Sequence, residues 1–273
     1  MSSEFQLIRR YGTALGAQRL KNWATSKISR RRQTAAFRRQ FDEFSEQEGA
    51  RKFRLEWKDR MLCLDDDTEL TQFDRHYVYH PAWAARILKR IDPEVHIDIG
   101  SSLFFASVVS AFTPVKFYDF RPADVRLSGL EVHEANLTDL QFEDRSIGSL
   151  SCMHVIEHIG LGRYGDGLDP NGDLKAMSEL QRVLAAGGHL LFVVPVGQPK
   201  VVFNAHRVYS YDQVVEQFPD LMLKEFALIP QHGSRGLVIG ASKECVSQES
   251  YGCGCFWFSR EECAPENSGK KRV

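Results

Sequence analysis

The stretch SLSCMHVIEHIGLGRYGDGLDP, residues 149–170, holds His154-x-x-Glu157-His158, two imidazoles and a carboxylate within five positions. On a regular helix this spacing puts both histidines on one face, where they can bind zinc while the glutamate serves as the base of a metal-dependent hydrolase. That chemistry needs a well-formed helix and a third ligand. Here the motif directly follows an apolar run, and Gly160 and Gly162 arrive within four residues, so a long helix is not expected. The alternative is acid–base work: His154 or His158 takes a proton and Glu157 orients one of them.

Thiols are the other reactive set. Six cysteines, at 63, 152, 245, 253, 255 and 263, are too few and too uneven for a disulfide framework and read as reduced. Cys253-Gly-Cys255 with Cys245 and Cys263 could make a zinc site, but zinc pairs usually come as CxxC, and a spacing of two favours a strand with its thiols on one face. His76 and Tyr77 belong to a dense polar-aromatic run, Asp74 to His80, that either lines a pocket or packs on a sheet.

Short β-rich runs alternate with helical patterns and must position these groups. Pro81 fits the first turn of a helix through Trp83, Ile87 and Leu88, stopped by Asp92-Pro93. Strands are expected at 95–99, 115–119, 147–153 and 189–194, helices over about 104–112 and 173–184, and later strands at 223–229 and 237–242. Alternation of this kind implies βαβ units and a mainly parallel sheet covered on both faces. Ligands then bind beyond the carboxyl ends of the strands. Two acids sit there: Asp98, followed by the turn residue Gly100, and Asp119, about twenty residues on, placed to accept hydrogen bonds from ribose hydroxyls.

The chain has 273 residues, 43% hydrophobic and 26% charged, as for a soluble globular protein with one sizeable domain and an appendage. No apolar run approaches the roughly 20 residues that cross a bilayer, and the start, MSSEFQLIRR, lacks the apolar stretch of a signal peptide. A cytoplasmic location is expected. The net charge of -1 conceals ten Lys or Arg against Glu4 alone in residues 1–41. Leu7, Ile8, Tyr11 and Leu15, then Phe37, Phe41 and Phe44, recur at helical spacing, so two amphipathic helices broken near Ser26–Ser29 are expected. Their basic face is either solvated or a peripheral contact with anionic membrane or an acidic glycan. No nucleic-acid-binding motif accompanies Arg30-Arg31-Arg32, and no nucleic-acid partner is expected.

Taken in order, these segments resemble class I S-adenosylmethionine (SAM)-dependent methyltransferases over about residues 90–245. His96-Ile-Asp98-Ile-Gly100 is similar to the first SAM motif, Asp119 to the ribose-binding acid, and Asn136 to Ser146 to the adenine-side loop. Ser149 to His158 is similar to the fourth strand and its turn, and Arg182 to Pro195 to the helix, Gly-Gly turn and fifth strand. The stretch from His154 to Pro170 further resembles an uncharacterised methyltransferase-like family linked to surface glycans. The resemblance implies a doubly wound α/β, Rossmann-like, mainly parallel seven-stranded sheet over residues 81–245. A basic helical cap would occupy 1–80, and a partly disordered extension 246–273. It implies SAM as cofactor, contacted by Asp98, Gly100, Ser101, Asp119, Asn136, Leu137 and Met153. It also implies methyl transfer to a small-molecule or glycan-type acceptor at a hydroxyl, with His154, Glu157, His158 and His206 as the catalytic set. Some relatives hold a divalent metal with such a Glu and His pair, which makes His154, Glu157, His158 and His206 candidate ligands. Ser102 and Phe104 depart from the glycine-rich pattern. A bulky Phe104 near the methionine end would narrow the site, so a catalytically silent binding protein stands as the alternative, with the hydrolase behind it.

Overall fold

The computed structural model describes residues 29–47, 53–233 and 235–262. The chain divides into two compact units, Met1–Gln72 and Phe73–Val273. In the first, helix α1 runs over 29–47. Phe37 and Phe41 set their rings 6.0 and 5.0 Å from that of Trp57, which lies on a 3-10 turn, Trp57–Asp59. Arg38 and Arg60 stand over the same indole at 4.2 and 4.4 Å, cation–π contacts worth about 0.5–1 kcal/mol each at an exposed site. Part of the basic face therefore packs on an aromatic ring. The expected helix through Leu7, Ile8, Tyr11 and Leu15 lies outside the described residues, as does most of the proposed membrane contact through 1–41.

The second unit begins with α2 (Arg75–Ile91), β1 (His96–Ile99), α3 (Leu103–Val109), β2 (Val115–Asp119), β3 (Leu130–Glu134) and β4 (Ile147–Met153). There follow α4 (Gly172–Val183), β5 (Leu184–Val196), the hairpin strands β6 (Lys200–Val202) and β7 (His206–Val208), and α5 (Tyr211–Val215). The chain closes with β8 (Met222–Ile229), β9 (Val238–Ile239), α6 (Lys243–Ser247) and β10 (Gly252–Ser259). One eight-stranded sheet has the order β3-β2-β1-β4-β5-β10-β8-β9. Pairing is parallel from β3 to β5, whereas β10 runs antiparallel to both β5 and β8. This is the doubly wound, mainly parallel α/β sheet expected, with the two-residue β9 added at its edge. Among the described residues no helix is long and apolar enough to cross a membrane.

Two boundaries differ from those expected. The helix carrying Pro81 starts at Arg75, because Asp74 caps it by accepting a hydrogen bond from Tyr77 N at 3.2 Å. The second unit accordingly begins near residue 73 and not 81. The supposed extension 246–273 contains β10, which is wedged between β5 and β8. Its sequence, Gly-Cys-Gly-Cys-Phe-Trp-Phe-Ser, is buried on both faces, so it shows none of the alternation that marks a half-exposed strand. Residues 263–273 lie outside the described residues.

Apolar side chains cover both faces of the sheet. On one face Leu180 of α4 and Val214 of α5 belong to one cluster with Phe192, Phe218, Phe256 and Phe258. On the other, Trp83, Ile87 and Leu88 of α2 and Phe105 of α3 meet Leu191, Val193, Cys253 and Cys255. Strand alternation fixes this division, so Cys253 and Cys255 share the α2 side. Phe256, fully buried, meets Phe192, Tyr211, Phe226 and Phe258. Phe256→Ala should cost about 3–5 kcal/mol of unfolding free energy in a denaturant titration. A loss below about 1 kcal/mol would mean that β10 is not part of the core.

Candidate active site

The carboxyl ends of β1, β2 and β4 open on a cavity of ≈ 480 Å³, within the size range of small-ligand pockets. Gly100 forms its floor with φ +71°, and its N–H donates to Tyr118 O at 2.7 Å. A Cβ there would lie 3.1–3.2 Å from the Val155 methyls, so only glycine gives both the turn and the clearance. Asp119 ends β2. Its Oδ1 accepts from Arg121 N at 2.7 Å, and the residue lines the cavity. After β3, Asn136 Oδ1 accepts from both N and Oγ1 of Thr138, at 3.1 and 2.9 Å. Both lone pairs of that oxygen are engaged, so Asn136 offers its amide N–H groups to a ligand. Leu137 and Tyr118 supply apolar wall.

Three of the expected cofactor contacts lie underneath instead. Asp98 is fully buried and accepts from Ser101 N at 3.0 Å and from Ser151 Oγ at 2.6 Å. Burial pushes its carboxyl up to about 7, against the lowering effect of those serine bonds. Ser101 Oγ accepts from Met153 N at 3.0 Å. Asp98, Ser101 and Met153 thus lock the β1 turn onto β4 and do not line the cavity. The sequence places a carboxylate at a strand end but does not say on which side of the turn it points. Phe104, 87% exposed on α3, does not line the cavity either, so it does not narrow the site.

The HVIEH motif forms no metallopeptidase helix. Ile156–His158 is a single 3-10 turn, and His154 precedes it in the left-handed region at φ +58°. Non-glycine residues rarely adopt that conformation, and it turns the His154 ring inward. His154 Nδ1 donates to Glu157 Oε1 at 2.8 Å, and Nε2 faces Cys253 Sγ at 3.4 Å. Both ring nitrogens are engaged, so His154 is not a free base even though it borders the cavity. Glu157 is buried, pairs with His154 and not with Arg163 or Arg207, and its Oε2 has no hydrogen-bond partner. Arg207 instead braces the loop after the motif: it binds Asp173 at 3.4 Å and the carbonyls of Ile159 and Pro170 at 2.6 and 3.3 Å.

Of the two HVIEH imidazoles, His158 is the one left with a free nitrogen. Its Nδ1 lies 2.6 Å from Ala205 O, a contact that only a protonated Nδ1 satisfies, and the more distant Arg163 guanidinium can serve the same carbonyl at 3.1 Å. The Nε2 lone pair is therefore available, 3.8 Å from Glu157 Oε1. His206 sits on β7, tilted against Tyr251 at 4.9 Å, and does not line the cavity. The loop 160–166 is tied by Asp166, whose carboxylate accepts from the N–H groups of Gly160, Gly162 and Tyr164. At Gly160, φ +77°, a Cβ would lie 2.0 Å from Asp169 O. Tyr164 then stands at the mouth, edge-on to His158 and flanked by the guanidinium groups of Arg121 and Arg163 at 4.9 and 5.1 Å. Sequence reasoning missed Tyr164 and Arg121, which have no motif of their own.

A protein-family profile described as "Caenorhabditis protein of unknown function, DUF268" matches residues 125–230. No curated protein matches the chain. Among solved structures, a chain of the Haloferax volcanii complex of the Trm112 methyltransferase activator with a methyltransferase is 18% identical at a TM-score of 0.48, covering 69% of this chain and 92% of its own. The N-methyltransferase NodS from Bradyrhizobium japonicum, in complex with S-adenosyl-L-homocysteine, is 16% identical at a TM-score of 0.47 over 67% of this chain and 86% of its own. A TehB-like SAM-dependent methyltransferase from Corynebacterium glutamicum is 15% identical at 0.44, over 67% and 89%.

Proposed function

We propose that the chain is an enzyme that transfers a methyl group from SAM to a hydroxyl of a small-molecule or glycan-type acceptor. The observation that carries this reading is the convergence on one cavity of the Gly100 turn, the strand-end carboxylate of Asp119 and the Asn136-Leu137 loop. These are the segments whose order along the chain resembles the SAM motifs. The residues present suit the cofactor. Gly100 gives close backbone approach, Asp119 Oδ2 accepts from ribose hydroxyls, Asn136 donates from its amide to an adenine ring nitrogen, and Tyr118 and Leu137 flank the base.

Bound SAM supplies an electrophilic methyl carbon on a sulfonium, so the protein's task is alignment and exclusion of water. His158 accepts the acceptor hydroxyl's proton at Nε2, with Nδ1–H held on Ala205 O. Glu157, 3.8 Å away and buried, stabilises the imidazolium that results. Tyr164 holds the guanidinium groups of Arg121 and Arg163 over its ring at the mouth, which suits an acceptor carrying an acidic group.

Calorimetric titration of the protein with SAM and with S-adenosylhomocysteine should show binding of both, and absence of binding would sink the reading. Asp119→Ala should weaken that affinity by about 1–3 kcal/mol, because the ribose hydroxyls lose a charged acceptor. Unchanged affinity in a folded variant would remove Asp119 from the site. His158→Ala should lower turnover about 100-fold or more, while SAM affinity stays within about twofold. Full activity in that variant excludes His158 as the base, and SAM binding without turnover on any hydroxyl acceptor would point to a silent relative.

A further inference from the structure

A second cluster of reactive side chains lies between α2 and the sheet. Along α2, His76 and His80 continue the buried stripe of Trp83, Ala84, Ile87 and Leu88 at intervals of three and four residues. Cys253 on β10 faces that stripe, and the left-handed turn after β4 swings His154 in between. One ligand atom each from His76, His154 and Cys253 lie within 4.8 Å of one another, and all three residues are buried. Cys253 Sγ and His154 Nε2 are 3.4 Å apart, close to the ~3.5 Å edge of a tetrahedron built on ordinary zinc–sulfur and zinc–nitrogen bonds.

Two further observations point to an ion. Glu157 Oε1 holds His154 Nδ1 at 2.8 Å, the carboxylate–histidine arrangement that fixes the tautomer of metal-ligating imidazoles. His80 Nε2, fully buried with its ring 5.0 Å from that of His154, has no hydrogen-bond partner. Buried imidazoles are normally satisfied at both nitrogens.

We propose that His76, His154 and Cys253 bind a divalent ion of the zinc class as three ligands of a tetrahedral site. His80 Nε2 lies outside this set of mutually close ligand atoms and is not one of the three ligands. One thiolate and two neutral imidazoles form a nitrogen–sulfur set that suits zinc or cobalt and not magnesium or calcium. On binding, the Cys253 S–H releases its proton to solvent and the S–H···Nε2 contact gives way to two metal bonds, with no electron transferred. The thiolate and the Glu157 carboxylate together balance the charge of the ion, which a buried site requires. Glu157 and His158 are not ligands in this arrangement: Glu157 acts through His154, and His158 faces the cavity. Of the thiols expected to join Cys253, Cys255 Sγ lies 4.0 Å from Cys253 Sγ but is not in the ligand set, Cys245 is exposed on α6, and Cys263 lies outside the described residues.

The test is metal analysis of the purified full chain, followed by titration of the chelator-treated protein with Co(II) and competition with Zn(II). The expected result is one ion per chain and a thiolate-to-cobalt charge-transfer band. Cys253→Ser should abolish the band and weaken Zn(II) binding by more than about 100-fold, and Glu157→Gln should weaken it about 10–100-fold. Cys245→Ser should change neither. A Cys253→Ser variant that binds Zn(II) as the parent does would overturn the proposal. If that variant does not fold, the parent protein decides: a cobalt spectrum without thiolate charge transfer, or no stoichiometric binding, refutes the site.

Discussion

Two central parallel strands, β1 and β4, are joined by a buried chain of polar contacts, and both turns that shape the cavity hang from it. His96 meets Ser149 and Ser151 at 2.8 and 2.9 Å, Ser151 donates to Asp98, Asp98 accepts from Ser101 N, and Ser101 accepts from Met153 N. Burial holds the His96 imidazole down at about 3 and the Asp98 carboxyl up at about 7. Such a chain is strong only when every member is satisfied, so it fixes the register of the two strands more tightly than apolar contact would. Gly100 leaves one end of this junction and His154 the other, which places the cavity floor and the HVIEH turn at a set separation.

Strand ends were legible in the sequence because a parallel sheet brings them to one edge whatever the details of packing. Gly100, Asp119, Asn136 and Leu137 reach the cavity for that reason. The side on which a side chain emerges was not legible. Asp98 and Ser101 flank the sharp turn at Ile99-Gly100, and only Ser151 and the Met153 N–H of the neighbouring strand, 53 and 52 residues away in sequence, draw them inward. β10 was hidden for a related reason. Its Cys-Gly-Cys spacing correctly implied thiols on one face, but a strand buried on both sides offers no polar alternation, and its reversed direction takes it out of the βαβ rhythm. β3 is the opposite case: Leu-Glu-Val-His-Glu is largely exposed and edge-like, with Leu130 alone fully buried.

The two imidazoles of HVIEH illustrate how one motif divides its labour. A single residue in the left-handed region sends His154 beneath the sheet, toward Cys253 and α2, while the 3-10 turn that follows keeps His158 above it. Glu157 lies between the two, 2.8 Å from one ring and 3.8 Å from the other. A change in the charge of either histidine is therefore felt by the same buried carboxylate, and the floor of the cavity and the interior under it are electrostatically one body.

His158 owes its orientation to the carbonyl of Ala205, a main-chain atom on the hairpin between β6 and β7. Every residue type carries that carbonyl, so the partner that sets the tautomer cannot be removed by substitution at position 205. The surrounding mouth is built from side chains such as Tyr164, Arg121 and Leu168, which have no such protection. An architecture of this kind lets descendants of the chain change what they accept by altering the rim, while the proton-handling group keeps its geometry.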